Sequence, residues 1–182
     1  HNGDLAGSIS QRPNLMPILG LLEEKGDEIF ANADSVIVEV DMDKDIIKKV
    51  VALAKQYNKK LYGVVSNMSI AVERRDFLKH FDCFICNQLE AGMLFMEDYA
   101  DKSPEELRDI LSKRVILGKI PAMIVTMGGN GAVYADVNGE KGICPPQRVR
   151  VKDTTGAGDS FIGALLFQAT RKGFSIDQLS VD

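Results

Sequence analysis

Short runs of aliphatic and β-branched residues alternate along the chain with longer stretches of helical spacing. Ser35–Val40 (SVIVEV) is a continuous β-branched run, and in Asp43–Tyr57 the residues Ile46, Ile47, Val50, Val51 and Ala54 fall on one side of a helix. Lys60–Val65 predicts the next strand, Val72–Lys79 a helix, and Asp82–Cys86 a further strand, with a helix beginning near Gln88. Ser103-Pro104-Glu105-Glu106 has the form of a helix start: Ser as N-cap, Pro at the first helical position, then two acids that the helix dipole favours. Pro121–Met127 predicts another buried strand. Alternation of this kind predicts a parallel sheet with helices on both faces.

The pattern then changes. Gly131–Asp136 and Lys141–Cys144 flank Val137-Asn138-Gly139-Glu140 and read as a β-hairpin with Asn-Gly in its turn. A strand at Arg148–Lys152 comes next, then a Gly-rich turn, then an apolar helix from about Gly158 to Arg171. There is no internal repeat, low-complexity tract or linker, so residues 1–182 read as one α/β domain. The chain opens on Gly3 and a candidate strand, Asp4–Ser10, and stops about one turn into a helix at Ser175–Asp182. Both ends read as cuts in a longer protein.

Charge narrows the partners. The formal net charge is −4 and the isoelectric point about 5.3, which argues against a nucleic-acid partner, since that needs a basic surface. It leaves anionic small ligands open, because backbone donors hold phosphate on an acidic protein. No apolar run approaches the roughly 20 residues that span a bilayer, so no membrane partner is expected. Three cysteines argue against a disulfide framework and point to a reducing cytoplasm. Cys83 and Cys86 form a C-x-x-C, but the only histidines are His1 and His80, too few to complete a zinc site. On a strand, their odd separation places them on opposite faces, as two small buried hydrophobes.

The candidate chemistry sits in Asp153-Thr154-Thr155-Gly156-Ala157-Gly158-Asp159, between a strand and a helix. Three small residues let the backbone turn tightly and let a ligand reach the amides. The unsatisfied N–H groups and dipole of the helix beyond favour an anion there. Asp159, at the same spot, is placed to accept a proton from an alcohol as that alcohol attacks phosphorus. The plainer reading is a Gly-rich turn in which Asp159 caps the helix. A dinucleotide-binding turn needs Gly or Ala where Phe161 stands, and no Gly-Lys-Ser/Thr of a Walker A loop occurs.

Asp153-Thr-Thr-Gly-Ala-Gly-Asp-Ser-Phe-Ile-Gly-Ala-Leu-Leu166 closely resembles the C-terminal signature of the PfkB (ribokinase-like) carbohydrate kinases. The resemblance implies a three-layer α/β/α core and an ATP-dependent kinase acting on a hydroxyl of a sugar or nucleoside. It implies Asp159 as catalytic base and the amides of Gly156, Ala157, Gly158 and Asp159 as the anion hole. Asp153 would help hold a monovalent cation such as K⁺. Asn87-Gln88-Leu89-Glu90 resembles the family's N-x-x-E motif, which implies Mg²⁺ held through water by Asn87 and Glu90; the plainer reading is a helix cap by Asn87. Thr126-Met127-Gly128-Gly129-Asn130-Gly131 resembles the T-x-G-x-x-G loop at the ATP phosphates, with Thr126, Gly128 and Gly131 as the cofactor-binding positions. Where the family often carries Asp after the strand matching Leu61–Val65, this chain has Ser66-Asn67. The spacing from Leu61 to Ala91 most resembles pseudouridine kinases. Family members are longer, which implies that an N-terminal lid and most of the acceptor pocket, with the final helices, are missing here. These residues alone are therefore expected to be inactive, and the family's lid-mediated homodimer belongs to the longer protein. The competing expectation is a nucleotide-binding or regulatory module without catalysis.

Overall fold

A computed structural model of the chain describes residues 13–172. The elements are α1 (Met16–Asn32), β1 (Ser35–Glu39), α2 (Lys44–Gln56), β2 (Lys60–Val64) and α3 (Met68–Ala71), then a 3-10 stretch Val72–His80 and β3 (Cys83–Asn87). After these come α4 (Gln88–Phe95), α5 (Pro104–Gly118), β4 (Ala122–Thr126), a 3-10 turn Gly128–Asn130, β5 (Ala132–Asp136), β6 (Lys141–Cys144) and α6 (Ala157–Lys172). The strands form one sheet in the order β1-β2-β3-β4-β5-β6, with β1 to β4 parallel and β4-β5-β6 antiparallel. The expected parallel sheet with a terminal hairpin is therefore present.

The sheet order explains the layers. Every crossover from β1 to β4 steps in the same direction, and a right-handed crossover then puts each connecting helix on the same face. The buried residues of α1 to α5 accordingly join one cluster with alternate strand residues, among them Phe84, Cys86, Met123, Val125, Val133 and Ala135. The opposite strand residues, including Tyr62, Cys83, Ile85, Ile124 and Tyr134, pack with Leu165, Leu166 and Ala169 of α6. Among the described elements, α6 is the helix that covers this second face. The period-2 partition separates Cys83 from Cys86 as expected; both are free and buried, and burial pushes both thiols well above their usual range. Replacing fully buried Phe84 by alanine would cost about 3–5 kcal/mol.

Three elements depart from the sequence reading. Helix α1 has no counterpart in it. Pro17 and Gly20 look like breakers, but Pro17 sits in the first turn, where its missing N–H costs nothing. The Val72–Lys79 helix is a 3-10 stretch preceded by the short α3. Leu78 is buried, Val72 and Phe77 pack against the core, and Phe81 is buried just beyond the end of the stretch. Arg75 is exposed and ties the stretch down from outside, its Nε donating to the Val72 carbonyl at 3.1 Å and its Nη1 to that of Leu94 at 3.4 Å. The strand expected at Arg148–Lys152 is not formed: Pro145 and Pro146 lack N–H donors, and Val149 and Val151 are exposed. The expected strand at Asp4–Ser10 and the helix at Ser175–Asp182 lie outside the described residues.

Candidate functional site

The parallel strands end together at one edge, and the sheet register aligns the turns that leave them. Asn87 at the end of β3 is the partner of Thr126 on β4, Thr126 of Ala132 on β5, and Ala132 of Cys144 on β6. The far end of α6 lies at the opposite edge, where the Thr170 hydroxyl meets the Ser35 hydroxyl at the opening of β1 (3.4 Å). Helix α6 therefore runs against the strands, and its N-terminus points to the carboxyl edge. Three separate sequence motifs thus gather at one edge, the usual place for ligands in open α/β sheets.

The Gly-rich turn holds its shape through its own backbone. Asp153 Oδ1 accepts from the Thr155 amide at 2.8 Å, and this bond keeps the Asp153 carboxyl below its usual range. The Thr154 carbonyl accepts from the Ala157 amide at 3.1 Å, and the Gly156 carbonyl from the Ser160 amide at 2.9 Å. Gly156 has φ +73°, which an L side chain rarely adopts. The Ala157 amide is thus engaged within the turn, whereas the amides of Gly158 and Asp159 belong to the first helical turn, which has no intrahelical acceptors. Residues 151–160 are exposed, so a ligand can reach them.

The Thr126 loop is a tight reversal between β4 and β5. The Gly131 carbonyl accepts from the Met127 amide at 2.7 Å, and the Gly128 carbonyl from the Gly131 amide at 3.1 Å. Gly128 has φ +54° and Gly131 φ +86°. A Cβ on Gly131 would overlap the Cys144 carbonyl oxygen and lie 3.0 Å from the Pro146 nitrogen. Glycine is required there by backbone geometry and by the close passage of the β6 exit.

At Asn87 the plainer reading holds locally. Asn87 Oδ1 accepts from the Glu90 amide (2.9 Å) and Glu90 Oε2 from the Asn87 amide (2.8 Å), a complete capping box that starts α4. Burial raises the Glu90 pKa above the usual carboxylate range, against the lowering effect of the Asn87 amide. The box uses one oxygen of each side chain. Gln88 anchors the same turn, its Nε2 donating to the Tyr99, Ala100 and Lys102 carbonyls at 2.5, 3.4 and 3.2 Å. Two oxygen-bearing groups beside open solvent fit Mg²⁺, which keeps most of its waters. Among the described residues no cluster of three or more His, Cys, Asp or Glu forms a metal cage.

Sequence reasoning missed two carboxylates. Glu39 and Asp41 leave β1 at the same edge, and the Ser66 hydroxyl lies 3.3 Å from Glu39 Oε2 and 3.3 Å from Asp41 Oδ2. Their i, i+2 spacing at a strand end was the available signal. Ser66 is the position at which the sequence departs from the family pattern.

Comparison with known proteins agrees with this arrangement. The pfkB family carbohydrate kinase profile matches residues 10–177. Guanosine-inosine kinase of Exiguobacterium acetylicum is 32% identical over 179 residues, covering 94% of this chain and 56% of that protein. Ribokinase of Schizosaccharomyces pombe is 26% identical over 136 residues, 74% of this chain and 42% of the relative. The solved structure of a probable sugar kinase from Rhizobium etli superposes with a TM-score of 0.68 at 26% identity, covering 86% of this chain and 48% of that one. The chain thus spans about half the length of these relatives. No described helix is long and apolar enough to cross a membrane. With its profile match, its sheet order and its three motifs on one edge, the chain belongs to the pfkB family of carbohydrate kinases.

Proposed function

We propose that this chain carries the phosphoryl-transfer core of an ATP-dependent kinase for a hydroxyl of a sugar or nucleoside. The observation that supports it most is the gathering of the α6 N-terminus, the Thr126 loop and the Asn87–Glu90 turn at the carboxyl edge. In this reading the amides of Gly156, Gly158 and Asp159 hold the charge on the transferred phosphoryl group. The Ala157 amide supports the turn instead, through Thr154. Asp159 takes the proton from the acceptor hydroxyl as the oxygen attacks phosphorus, leaving ADP and the phosphate ester. Thr126, Gly128 and Gly131 would shape the loop that lies at the nucleotide phosphates, the Gly131 amide being engaged by the Gly128 carbonyl. Asn87 and Glu90 would orient Mg²⁺ through water, and the ion would supply charge neutralisation. Asp153 would face a monovalent cation such as K⁺. Glu39 and Asp41 would accept from acceptor hydroxyls.

The names of the relatives favour a nucleoside or ribose-like acceptor. Free Cys83, Cys86 and Cys144 fit a reducing, cytoplasmic setting. Taken alone, the 182 residues should bind ATP weakly, about 10⁻⁴ M or worse, without acceptor-dependent turnover, because they supply about half of a relative's length. The test has two parts. ATP·Mg²⁺, but not NADH, should shift the amide resonances of Gly156, Gly158 and Gly128 in the chain. The complete gene product should then phosphorylate a member of a nucleoside and sugar panel. Binding without turnover on any acceptor would favour a regulatory nucleotide-binding module, and no ATP response at those amides would reject the reading.

A further inference from the structure

The opposite edge of the sheet carries a second concave site that the kinase reading does not use. A cleft of about 590 Å³ opens at the amino ends of β2 and β3, a volume in the range of small-molecule pockets. Three elements converge on it: the last turn of α2, the entry to β2, and the end of the 3-10 stretch. They bring Lys55, Lys59, Lys60, Lys79 and His80 to one space, with Asp82 as the acid of the lining. Both Asp82 oxygens are engaged, Oδ1 by Lys60 Nζ at 2.6 Å and Oδ2 by the Leu61 amide at 2.9 Å. Lys59 Nζ donates to the Ala31 carbonyl in the last turn of α1 at 3.2 Å, a partner that carries no full negative charge.

Such a concentration stands out on a chain of net charge −4. The crowding is felt locally: burial lowers the His80 pKa, and the charges of Lys79 and Lys55 lower it further. Some of these residues complement helix C-termini, since Lys55 ends α2, Lys79 and His80 end the 3-10 stretch, and Lys59 reaches the last turn of α1. That role asks each lysine to serve its own helix end. It does not ask three elements to aim them into one cleft. Ala54 and Leu61, both buried, give the cleft an apolar floor.

We propose that this cleft binds a small phosphate ester, with the phosphate held by Lys55, Lys79 and Lys59 and the organic body resting on Ala54 and Leu61. Lysines act on phosphate as mobile point charges, which suits a ligand of variable shape. A single cleft on an acidic protein suits a compact metabolite better than a nucleic-acid strand.

The probes are ribose 5-phosphate and inorganic phosphate, with sodium chloride at matched ionic strength as control. Ribose 5-phosphate should shift the His80 ring resonances saturably, and bind more tightly than inorganic phosphate. The Lys55→Gln/Lys79→Gln chain should lose at least about ten-fold in that affinity, as expected for two charge-assisted bonds, while the ATP·Mg²⁺ response of the Gly156 and Gly158 amides stays. In the unmodified chain, ribose 5-phosphate should protect Lys55 and Lys79 from amine acetylation read by mass spectrometry, which needs no variant to fold. Equal affinity for the ester and inorganic phosphate overturns the ester assignment. A His80 shift reproduced by chloride, full affinity in the double variant, or no protection of the two lysines overturns the site.

Discussion

The two edges of the sheet are built for anions in opposite ways. The carboxyl edge is rich in carboxylates, with Glu39, Asp41, Glu90, Asp153 and Asp159, and its positive potential comes from backbone N–H groups at the start of α6. The amino edge is rich in lysine, and its potential comes from long side chains at helix ends. Backbone donors are fixed by the fold and lose no side-chain entropy when a ligand arrives, whereas each lysine does. Fixed donors suit a reaction that needs atoms held in line; mobile ones suit binding alone. In the proposed reading the carboxylates would need a cation beside them before a polyphosphate could approach, which would make the first edge metal-dependent and the second not.

Four changes probe that contrast, from the largest effect to the smallest. Asp159→Asn in the complete gene product should lower kcat by about 10²–10⁴-fold with ATP affinity little changed. Near-normal turnover would make Asp159 a helix cap and remove the chemistry from this edge. Gly131→Ala should cost roughly 2–4 kcal/mol in chemical denaturation, from the positive φ and the overlap with the Cys144 carbonyl. Its amide shifts should stay near the Thr126 loop and leave His80 unmoved; a spread to His80 would mean that the two edges are not independent. Glu90→Gln should raise the Mg²⁺ needed for half-maximal rate roughly ten-fold. Gln still completes a capping box, so α4 should persist by circular dichroism, and an unchanged Mg²⁺ profile would leave only the cap.

The smallest effect concerns a lysine of the amino edge that, unlike Lys55 and Lys79, has an acid partner. Lys141 Nζ meets Asp109 at 3.0 Å, and Arg108 meets the same carboxylate at 2.9 Å. Arg108, then Lys141, hold the Asp109 pKa down to about 2. A depressed carboxylate stabilises the fold fully above its ordinary value, near 3.8, and that stability disappears as pH falls through about 2. The melting temperatures of wild type and Asp109→Asn should therefore differ slightly at neutral pH and converge at pH 2. Solvent and salt screen this exposed pair, so the difference should also shrink in 1 M salt.

What the sequence disclosed depended on the range of the forces involved. The Ser103 and Asn87 caps were legible because a capping box closes within three residues. The strands were legible where buried residues ran on unbroken, as in Ala122–Thr126. Arg148–Lys152 has strand composition, but a strand also needs a neighbour to bond to, and composition does not supply one. The partner choice of Ser66, with Glu39 and Asp41, spans 27 and 25 residues and was invisible to local pattern. The Lys55–Lys79 convergence was hidden for the same reason. The PfkB-like signature was legible because the turn, the helix start and Asp159 are contiguous; the register that sets Asn87 beside Thr126 was not.

The docking of α6 also has a consequence for how the protein is made. Strands β1 to β4 pair with their neighbours in chain order, so the sheet can grow by adding one crossover at a time. Helix α6 has no such local partner: its tie to Ser35 closes a loop of 135 residues, and its apolar side needs β2 to β5 already side by side. The turn that carries Asp159 is therefore the last part of the edge to be set in place. Pulse-labelling hydrogen exchange during refolding should find the amides of β3 and β4 protected before those of α6. A chain stalled on the way, during synthesis or after damage, would have its sheet without a placed Asp159 turn, and so, in the proposed reading, would have no oriented base with which to misdirect phosphate.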